Sequence, residues 1–279
     1  MFKYLVLALV AIFAGLGGIY FFAGIPRIEK TEFPPASSVY LFKNQDIPLN
    51  DIEIYAFYFV PTNEQEIIAN SWSDTLEEAL LDLKNFHDLQ FRKLSEISYK
   101  IFPKPILGLN DNAFYDTART DRGNPFALIN ISEELQDRVF NESGDLYIKE
   151  FAAKSKDVYP VILIMYEGVG AAGGIINESK NESAEEIASE LSLPESVIFI
   201  VNISFADGFL LVNREIIDGR HGINGSSIMA HEFYHTLGLE DLYSSETGAA
   251  QSPDLMGLGR LQPLRRTYLS KEILSNMGL

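Results

Sequence analysis

The sequence predicts an α/β fold in which a mixed, mostly parallel β-sheet packs against helices. The run 52–60 is rich in β-branched and aromatic residues and ends at Pro61, which is typical of a strand. The run 158–166 is almost continuously apolar, as expected of a strand buried on both faces of a sheet. Between them, apolar residues at helical spacing predict a helix of about 20 residues that begins near Asp74. Strands that alternate with helices indicate one α/β domain, which we place at residues 51–279.

Weaker patterns predict the remaining elements. Thr75 and Glu78 have the spacing of a capping box at the start of the predicted helix. A second strand is expected over 98–106, where Pro103 and Pro105 confine it to an edge of the sheet or end it early. Three further elements are predicted in chain order: a helix over 131–140, a buried strand over 197–204 and a short strand over 209–212.

The chain is acidic and contains no cysteine. Its 279 residues include 22 Lys+Arg and 39 Asp+Glu, which give a formal net charge of −17. The absence of cysteine excludes a disulfide-stapled scaffold, a Cys-ligated zinc or iron–sulfur site and a thiol nucleophile. Any metal must therefore be held by histidines and carboxylates. A chain with this much negative charge repels the phosphate backbone of nucleic acids. We therefore expect no nucleic-acid partner.

The N-terminus carries a long apolar segment. Residues 4–26 contain no charged side chain, and about 20 apolar residues suffice to span a bilayer. We therefore predict a single-pass membrane anchor over residues 1–26 and a linker over 27–50, with the folded domain outside the cytoplasm. The alternative is a cleaved signal peptide, since the small residues of 14–18 could supply a cleavage site, and the domain would then be secreted.

A turn-rich segment, residues 108–125, carries several side chains with oxygen atoms. These are Asp111, Asn112, Asp116, Asp121 and Asn124. Calcium prefers such oxygen ligands, so a calcium site is one interpretation of the segment, although the spacing is not that of an EF-hand loop.

The stretch with the clearest chemical meaning is 231–241, which reads HEFYHTLGLED. His231 and His235 lie four residues apart, which on a helix stacks both imidazoles on one face within reach of a single zinc ion. Glu232 follows the first histidine directly. From there its carboxylate leans toward the open position of the metal, where it can take a proton from bound water.

A third ligand is expected just after this helix. Gly238 tolerates the left-handed turn that ends a helix, and that turn lets a residue six positions after His235 return to the same metal. This residue is Asp241, and the neighbouring Glu240 is a competing candidate. Three protein ligands with water in the fourth position are typical of a catalytic zinc site rather than a structural one.

These residues resemble the metzincin clan of zinc peptidases. The clan's motif HExxHxxGxxH/D is matched over 231–241, and the tetrapeptide 254–257 looks like its methionine turn, with Met256 as the methionine. Within the clan, HEFYHTLGLEDLY followed by SPDLMGLGR is most similar to the immune-inhibitor-A type of secreted bacterial metallopeptidase. The resemblance implies the α+β zincin-like form of the fold, with HExxH on the active-site helix and Met256 as an apolar floor beneath the metal. It departs from the clan at Leu258, where some members carry a tyrosine that stabilises the transition state.

The sequence therefore predicts a zinc-dependent metalloendopeptidase, anchored in a membrane or secreted. His231, His235 and Asp241 would hold one zinc ion, and Glu232 would activate the zinc-bound water against a protein or peptide substrate. A strand within 197–212 is expected to pair with an extended substrate. Two alternatives remain open from the sequence: a catalytically inactive zincin-fold scaffold at the membrane surface, and a metal hydrolase of non-peptide amides.

Overall fold

A mixed α/β arrangement with a mostly parallel sheet forms the core of the protein, which confirms the predicted fold class. The computed structural model describes residues 38–68, 70–116, 130–131, 134–135, 158–175, 208–217, 225–242 and 252–279. The strands are β1 (Tyr40–Leu41), β2 (Asn44–Pro48), β3 (Asp51–Val60), β4 (Glu96–Ile101), β5 (Ile106–Leu107), β6 (Val158–Tyr166), β7 (Ala171–Ile175) and β8 (Gly208–Asn213). The α-helices are α1 (Trp72–Gln90), α2 (Asn112–Tyr115), α3 (Arg214–Ile217), α4 (Gly225–His235) and α5 (Lys271–Asn276), and 3-10 helices span Thr62–Ile67, Leu258–Leu261 and Leu264–Arg266.

The described strands form one six-stranded sheet and a separate two-stranded hairpin. The order in the large sheet is β4-β3-β6-β8-β7, with β5 beside the end of β3. All of these strands run parallel to their neighbours except β7, which is antiparallel to β8. Within the described residues, β4 and β7 are therefore the outer strands, and β8 lies inside the sheet.

β3 is buried on both faces of the sheet. Successive side chains of a strand point to opposite faces. Tyr58 joins the core that also contains residues of α1 and α4, whereas Phe57 and Phe59 are buried on the other face. There Phe57 packs against Phe102, and Phe59 packs edge-to-face on Tyr115. Because both faces are covered, the strand is continuously apolar instead of alternating.

α1 covers the sheet with an apolar stripe at helical spacing. Leu76, Leu80 and Leu83 are fully buried and belong to the same core as β3. The helix begins at Trp72, so the predicted capping box is wrong: Thr75 lies within the first turns of the helix, and no side chain caps its start. Burial of the stripe, which helical periodicity predicts, fixes this helix more firmly than its N-terminal residues do.

Residues 38–50 belong to the folded domain, although the sequence analysis places them in a linker over 27–50. Val39 and Leu49 are completely buried, and β1 pairs with β2. The Tyr40 N–H donates to the carbonyl of Met277 at 3.0 Å, and the Phe42 N–H donates to that of Leu237 at 3.1 Å. The domain therefore begins upstream of residue 51, and its first strands pack beside the end of α4.

The remaining strand predictions agree with the structure in part. β3, β6 and β8 lie where their apolar runs predict them. The strand expected over 98–106 is instead two strands, β4 and β5, because the proline-containing segment 102–105 interrupts the ladder. β7 was not expected, since its sequence Ala-Ala-Gly-Gly-Ile has low strand propensity.

Other sequence predictions lie wholly or mostly outside the described residues. These are the membrane segment 1–26, the strand over 197–204 and most of the helix over 131–140, of which residues 131, 134 and 135 are helical. None of the helices that the structure describes is long and apolar enough to cross a bilayer.

Candidate metal centre

α4 places two histidines side by side, as the four-residue spacing predicts. The ring centroids of His231 and His235 are 4.7 Å apart, and their Nε2 atoms are 3.2 Å apart. The His231 side chain is 2% exposed, whereas that of His235 is 18% exposed. The pair is therefore covered by the core at His231 and is partly accessible to solvent at His235.

Gly238 ends the helix in the conformation that the sequence analysis expects. Its φ is 84°, in the left-handed region. The Gly238 N–H donates to the carbonyl of His235 at 3.0 Å, and the Leu239 N–H donates to that of Tyr234 at 3.1 Å. These two hydrogen bonds form a Schellman motif, which satisfies the last carbonyls of the helix and reverses the chain. The reversal brings Asp241 back to the histidines.

The three predicted ligand residues converge on one point. Asp241 Oδ1 lies 3.2 Å from His231 Nε2 and 3.3 Å from His235 Nε2. Ligand atoms around tetrahedral zinc, with bonds of about 2.0–2.1 Å, are separated by about 3.3–3.4 Å. Within the described part of the chain, this is the group of three residues whose atoms are close enough to share a metal ion. The near-equilateral triangle fits zinc closely.

Backbone carbonyls fix the tautomers of both histidines. His231 Nδ1 lies 3.0 Å from the carbonyl of Leu255, and His235 Nδ1 lies 2.7 Å from that of Leu239. A carbonyl can only accept a hydrogen bond, so both Nδ1 atoms donate and both Nε2 atoms present lone pairs. Two lone pairs that face each other beside a carboxylate could bind a cation, and hydrogen bonds from Nδ1 to backbone carbonyls are typical of metal-bound histidine.

Glu232 lies within the electrostatic field of this cluster. Burial raises the pKa of Glu232, while electrostatic interactions with His231 and His235 lower it and the carboxylate of Asp241 raises it. Arg260, on the 3-10 helix Leu258–Leu261 that packs against α4, also lowers this pKa. The structure thus adds Arg260 to the surroundings of the proposed base, a role that the sequence alone does not assign.

The competing ligand, Glu240, points away from the histidines. Its side chain is 76% exposed and its Oε1 lies 3.2 Å from Lys43 Nζ, an ion pair with the β1–β2 hairpin. Asp241, by contrast, is 29% exposed and lies at the triangle. Between the two carboxylates, the geometry favours Asp241.

The predicted methionine turn lies directly against α4, the helix that carries His231 and His235. Met256 is completely buried, and the neighbouring Leu255 carbonyl is the one that accepts from His231. The Met256 carbonyl accepts from the N–H of Leu242 at 2.9 Å. The turn therefore contacts both the first histidine and the segment that carries Asp241.

A buried histidine holds the opposite face of α4. The Tyr234 hydroxyl lies 3.1 Å from His87 Nδ1, and His87 Nε2 lies 2.8 Å from Ser95 Oγ. Ser95 Oγ donates to the carbonyl of Leu49, so it accepts from His87 Nε2–H, and His87 Nδ1 accepts from Tyr234. Burial, with a smaller contribution from Lys84, lowers the pKa of His87 to about 3. Tyr234 is thus part of a neutral core network and is directed away from the proposed metal ligands.

The outer strand β7 meets α4 beside the proposed base. A Cβ atom on Gly173 would lie 2.0 Å from the carbonyl oxygen of Glu232. Strand and helix can approach this closely because residue 173 has no side chain.

The predicted calcium segment is described only over 108–116. There the oxygens of two aspartates accept hydrogen bonds from protein donors: Asp111 from the N–H of Phe114 at 3.2 Å, and Asp116 from the N–H of Val169 at 2.9 Å. Residues 117–125 lie outside the described residues, so the calcium site stays a prediction.

No protein-family model matches the chain, and no curated protein matches it in sequence. The interpretation of this centre therefore rests on the geometry of His231, Glu232, His235 and Asp241, and on the motif through which they resemble metzincins.

Proposed function

We propose that the chain is a zinc-dependent endopeptidase. The observation that carries this proposal is the triangle of His231 Nε2, His235 Nε2 and Asp241 Oδ1, whose sides match the ligand spacing of tetrahedral zinc. The partial exposure of His235 and Asp241 leaves one side of the triangle open, as a catalytic zinc requires.

Glu232 supplies the proton transfers of the proposed reaction. Zinc, when bound, acidifies a water molecule and polarises the scissile carbonyl. Glu232 takes the proton of the attacking water and then delivers it to the nitrogen of the leaving amine. Burial favours its protonated form, whereas His231, His235 and Arg260 favour its ionised form.

β7 is the strand on which we expect an extended substrate to bind. The sequence predicts this role within 197–212, but β8, the described part of that range, is flanked by β6 and β7 and has both edges paired. β7 is one of the two outer strands of the described sheet, and Gly173 brings it against Glu232. A peptide added to β7 as a further strand would pass the proposed base.

Cleavage of unfolded casein by the full-length chain tests the function. We expect cleavage to stop when a chelator removes the metal and to return when zinc is added. Glu232→Gln should lower kcat/KM by at least about 100-fold and leave stoichiometric zinc bound, because it removes the base but no ligand. His235→Ala should lose the zinc itself.

Glu240→Gln is the matched control, since it removes a carboxylate beside Asp241 that is paired with Lys43 instead. We expect it to cleave casein at the wild-type rate. Wild-type cleavage by Glu232→Gln would show that another group is the base. Full zinc content in His235→Ala would show that the ligand set is wrong.

A further inference from the structure

Asp254 is a buried carboxylate within the methionine turn. It is 1% exposed, and each of its oxygens accepts a backbone hydrogen bond. Oδ1 accepts from the N–H of Met256 at 2.8 Å, and Oδ2 accepts from the N–H of Ser270 at 2.7 Å. A buried carboxylate is costly unless its oxygens are bonded in this way, so the side chain is fixed between two segments of backbone.

The backbone of Asp254 strengthens the same turn. Its carbonyl accepts from the N–H groups of Gly257 and Gly259, both at 2.9 Å. The next residue, Leu255, donates its N–H to the carbonyl of Tyr268 at 2.8 Å. The turn is therefore tied to the chain just before α5, and Asp254 Oδ2 reaches Ser270, the N-cap residue of that helix.

Of the two carbonyls that follow Asp254, one contacts a proposed zinc ligand and the other contacts the segment that carries a second one. The carbonyl of Leu255 accepts from His231 Nδ1, and the carbonyl of Met256 accepts from the N–H of Leu242, the residue after Asp241. The peptide units whose orientation Asp254 fixes are thus the ones that orient one ligand ring and hold the segment of another. A substitution at residue 254 would therefore alter the proposed metal site through these carbonyls, without a direct contact between residue 254 and the metal.

We propose that Asp254 is a positioning residue of the metal centre. Its carboxylate holds the turn so that His231 Nε2 and Asp241 Oδ1 stay at ligand spacing. This inference rests on the proposed zinc site, and it assigns Asp254 no contact with metal or substrate. Groups that support metal ligands in this way typically change metal affinity by about 10- to 100-fold when they are removed.

Zinc affinity of the full-length chain, measured by competition with a chromophoric chelator, tests the assignment. Asp254→Ala loses both acceptors, and we expect zinc to bind about 100-fold more weakly. Asp254→Asn keeps one acceptor and places an amide donor against a backbone N–H, and we expect binding to weaken about tenfold. At saturating Co²⁺, the visible absorption of both variants should differ from that of the wild-type chain, because the ligand geometry is altered.

Ile97→Ala is the matched control. Ile97 is 2% exposed and lies in β4, at the edge of the sheet opposite to β7. Its truncation should therefore destabilise the core without changing the contacts of the turn. We expect this variant to keep wild-type zinc affinity and Co²⁺ absorption. If Asp254→Ala does not fold, Asp254→Asn decides the question.

Three outcomes are distinct. A wild-type chain that binds no zinc would overturn the proposed function itself. Zinc binding by the wild-type chain with unchanged affinity and Co²⁺ absorption in the folded Asp254 variants would overturn the positioning role alone. Equal weakening of zinc binding by Ile97→Ala would also overturn it, since any loss of core packing would then have the same effect.

Discussion

Gly238 is the residue on which the position of Asp241, the proposed third ligand, depends. Its φ of 84° lies where residues with a side chain pay roughly 1–2 kcal/mol. We expect Gly238→Ala to lower the free energy of unfolding by about 1–2 kcal/mol in urea titrations of the zinc-free chain. The substitution should also weaken zinc binding, because the next carbonyl, that of Leu239, orients His235.

Gly238→Asn is the informative comparison, because asparagine adopts the left-handed conformation more readily than alanine. Its free energy of unfolding should fall between those of the wild-type chain and Gly238→Ala. Equal stability of all three proteins would contradict the claim that the left-handed turn constrains this position.

Asp241 could be proposed as the third ligand from its spacing after Gly238, but the direction of the neighbouring Glu240 side chain could not be predicted. The four-residue spacing of His231 and His235 places their side chains on the same face of the helix, because the geometry of an α-helix is regular. Asp241 and Glu240 follow a reversal of the chain, and the directions of their side chains depend on the tertiary contacts that each side chain makes. Glu240 meets Lys43, almost 200 residues earlier in the chain, and a contact of that range leaves no local pattern.

At the scale of elements, the contact between β7 and α4 places Glu232, the proposed base, beside the strand on which we propose that substrate binds. A methyl group at residue 173 would overlap the carbonyl oxygen of Glu232, so strand and helix must separate in Gly173→Ala. Overpacking of this kind typically costs about 1–3 kcal/mol. We expect that loss in urea unfolding, together with a lower rate of casein cleavage at equal zinc content.

Gly174→Ala is the matched control, since a Cβ at residue 174 meets nothing within 4 Å. It should change neither stability nor cleavage appreciably. If both alanine variants behave alike, general stiffening of β7 explains the result better than the contact between Gly173 and Glu232.

The elements that the sequence failed to predict share a physical cause. β7 consists mostly of Ala and Gly, and β1 and β2 are short and partly polar. None of these three strands therefore shows apolar periodicity. Their positions are set by tertiary contacts: β7 by the ladder with β8, and the hairpin by bonds to Met277 and Leu237. The long buried strands β3 and β6 could be predicted because each is an almost continuous run of apolar residues.

At the scale of the whole molecule, several ionisable side chains lie in the core. Glu167 is 5% exposed and is bonded to Arg214, 3% exposed, and to the hydroxyl of Tyr58. These residues lie at or near the ends of β6, β8 and β3, which the parallel sheet brings together. The sequence predicts no role for this pair or for His87, because the burial of an ionisable residue depends on partners far along the chain.

His87 makes the stability of the domain depend on pH. Burial lowers its pKa from 6.5 to about 3, so below pH 6.5 the unfolded chain binds a proton that the folded chain excludes. The stabilisation from neutral His87 is therefore complete above pH 6.5 and is lost as the pH falls toward 3. The free energy of unfolding should fall by up to about 1.4 kcal/mol per pH unit in that window from this residue alone.

His87→Gln isolates this effect, since glutamine carries polar atoms but does not titrate. The variant should be less stable than the wild-type chain at pH 8, because it breaks the network of Tyr234 and Ser95. That deficit should shrink by about 2 kcal/mol between pH 8 and pH 5, because the wild-type chain alone bears the cost of excluding a proton at residue 87. Urea unfolding of both chains in the presence of a chelator gives the comparison without the proposed zinc ligands competing for metal. Parallel stability curves over this range would mean that His87 is protonated as readily in the folded chain as in the unfolded one, and the buried neutral network would be wrong.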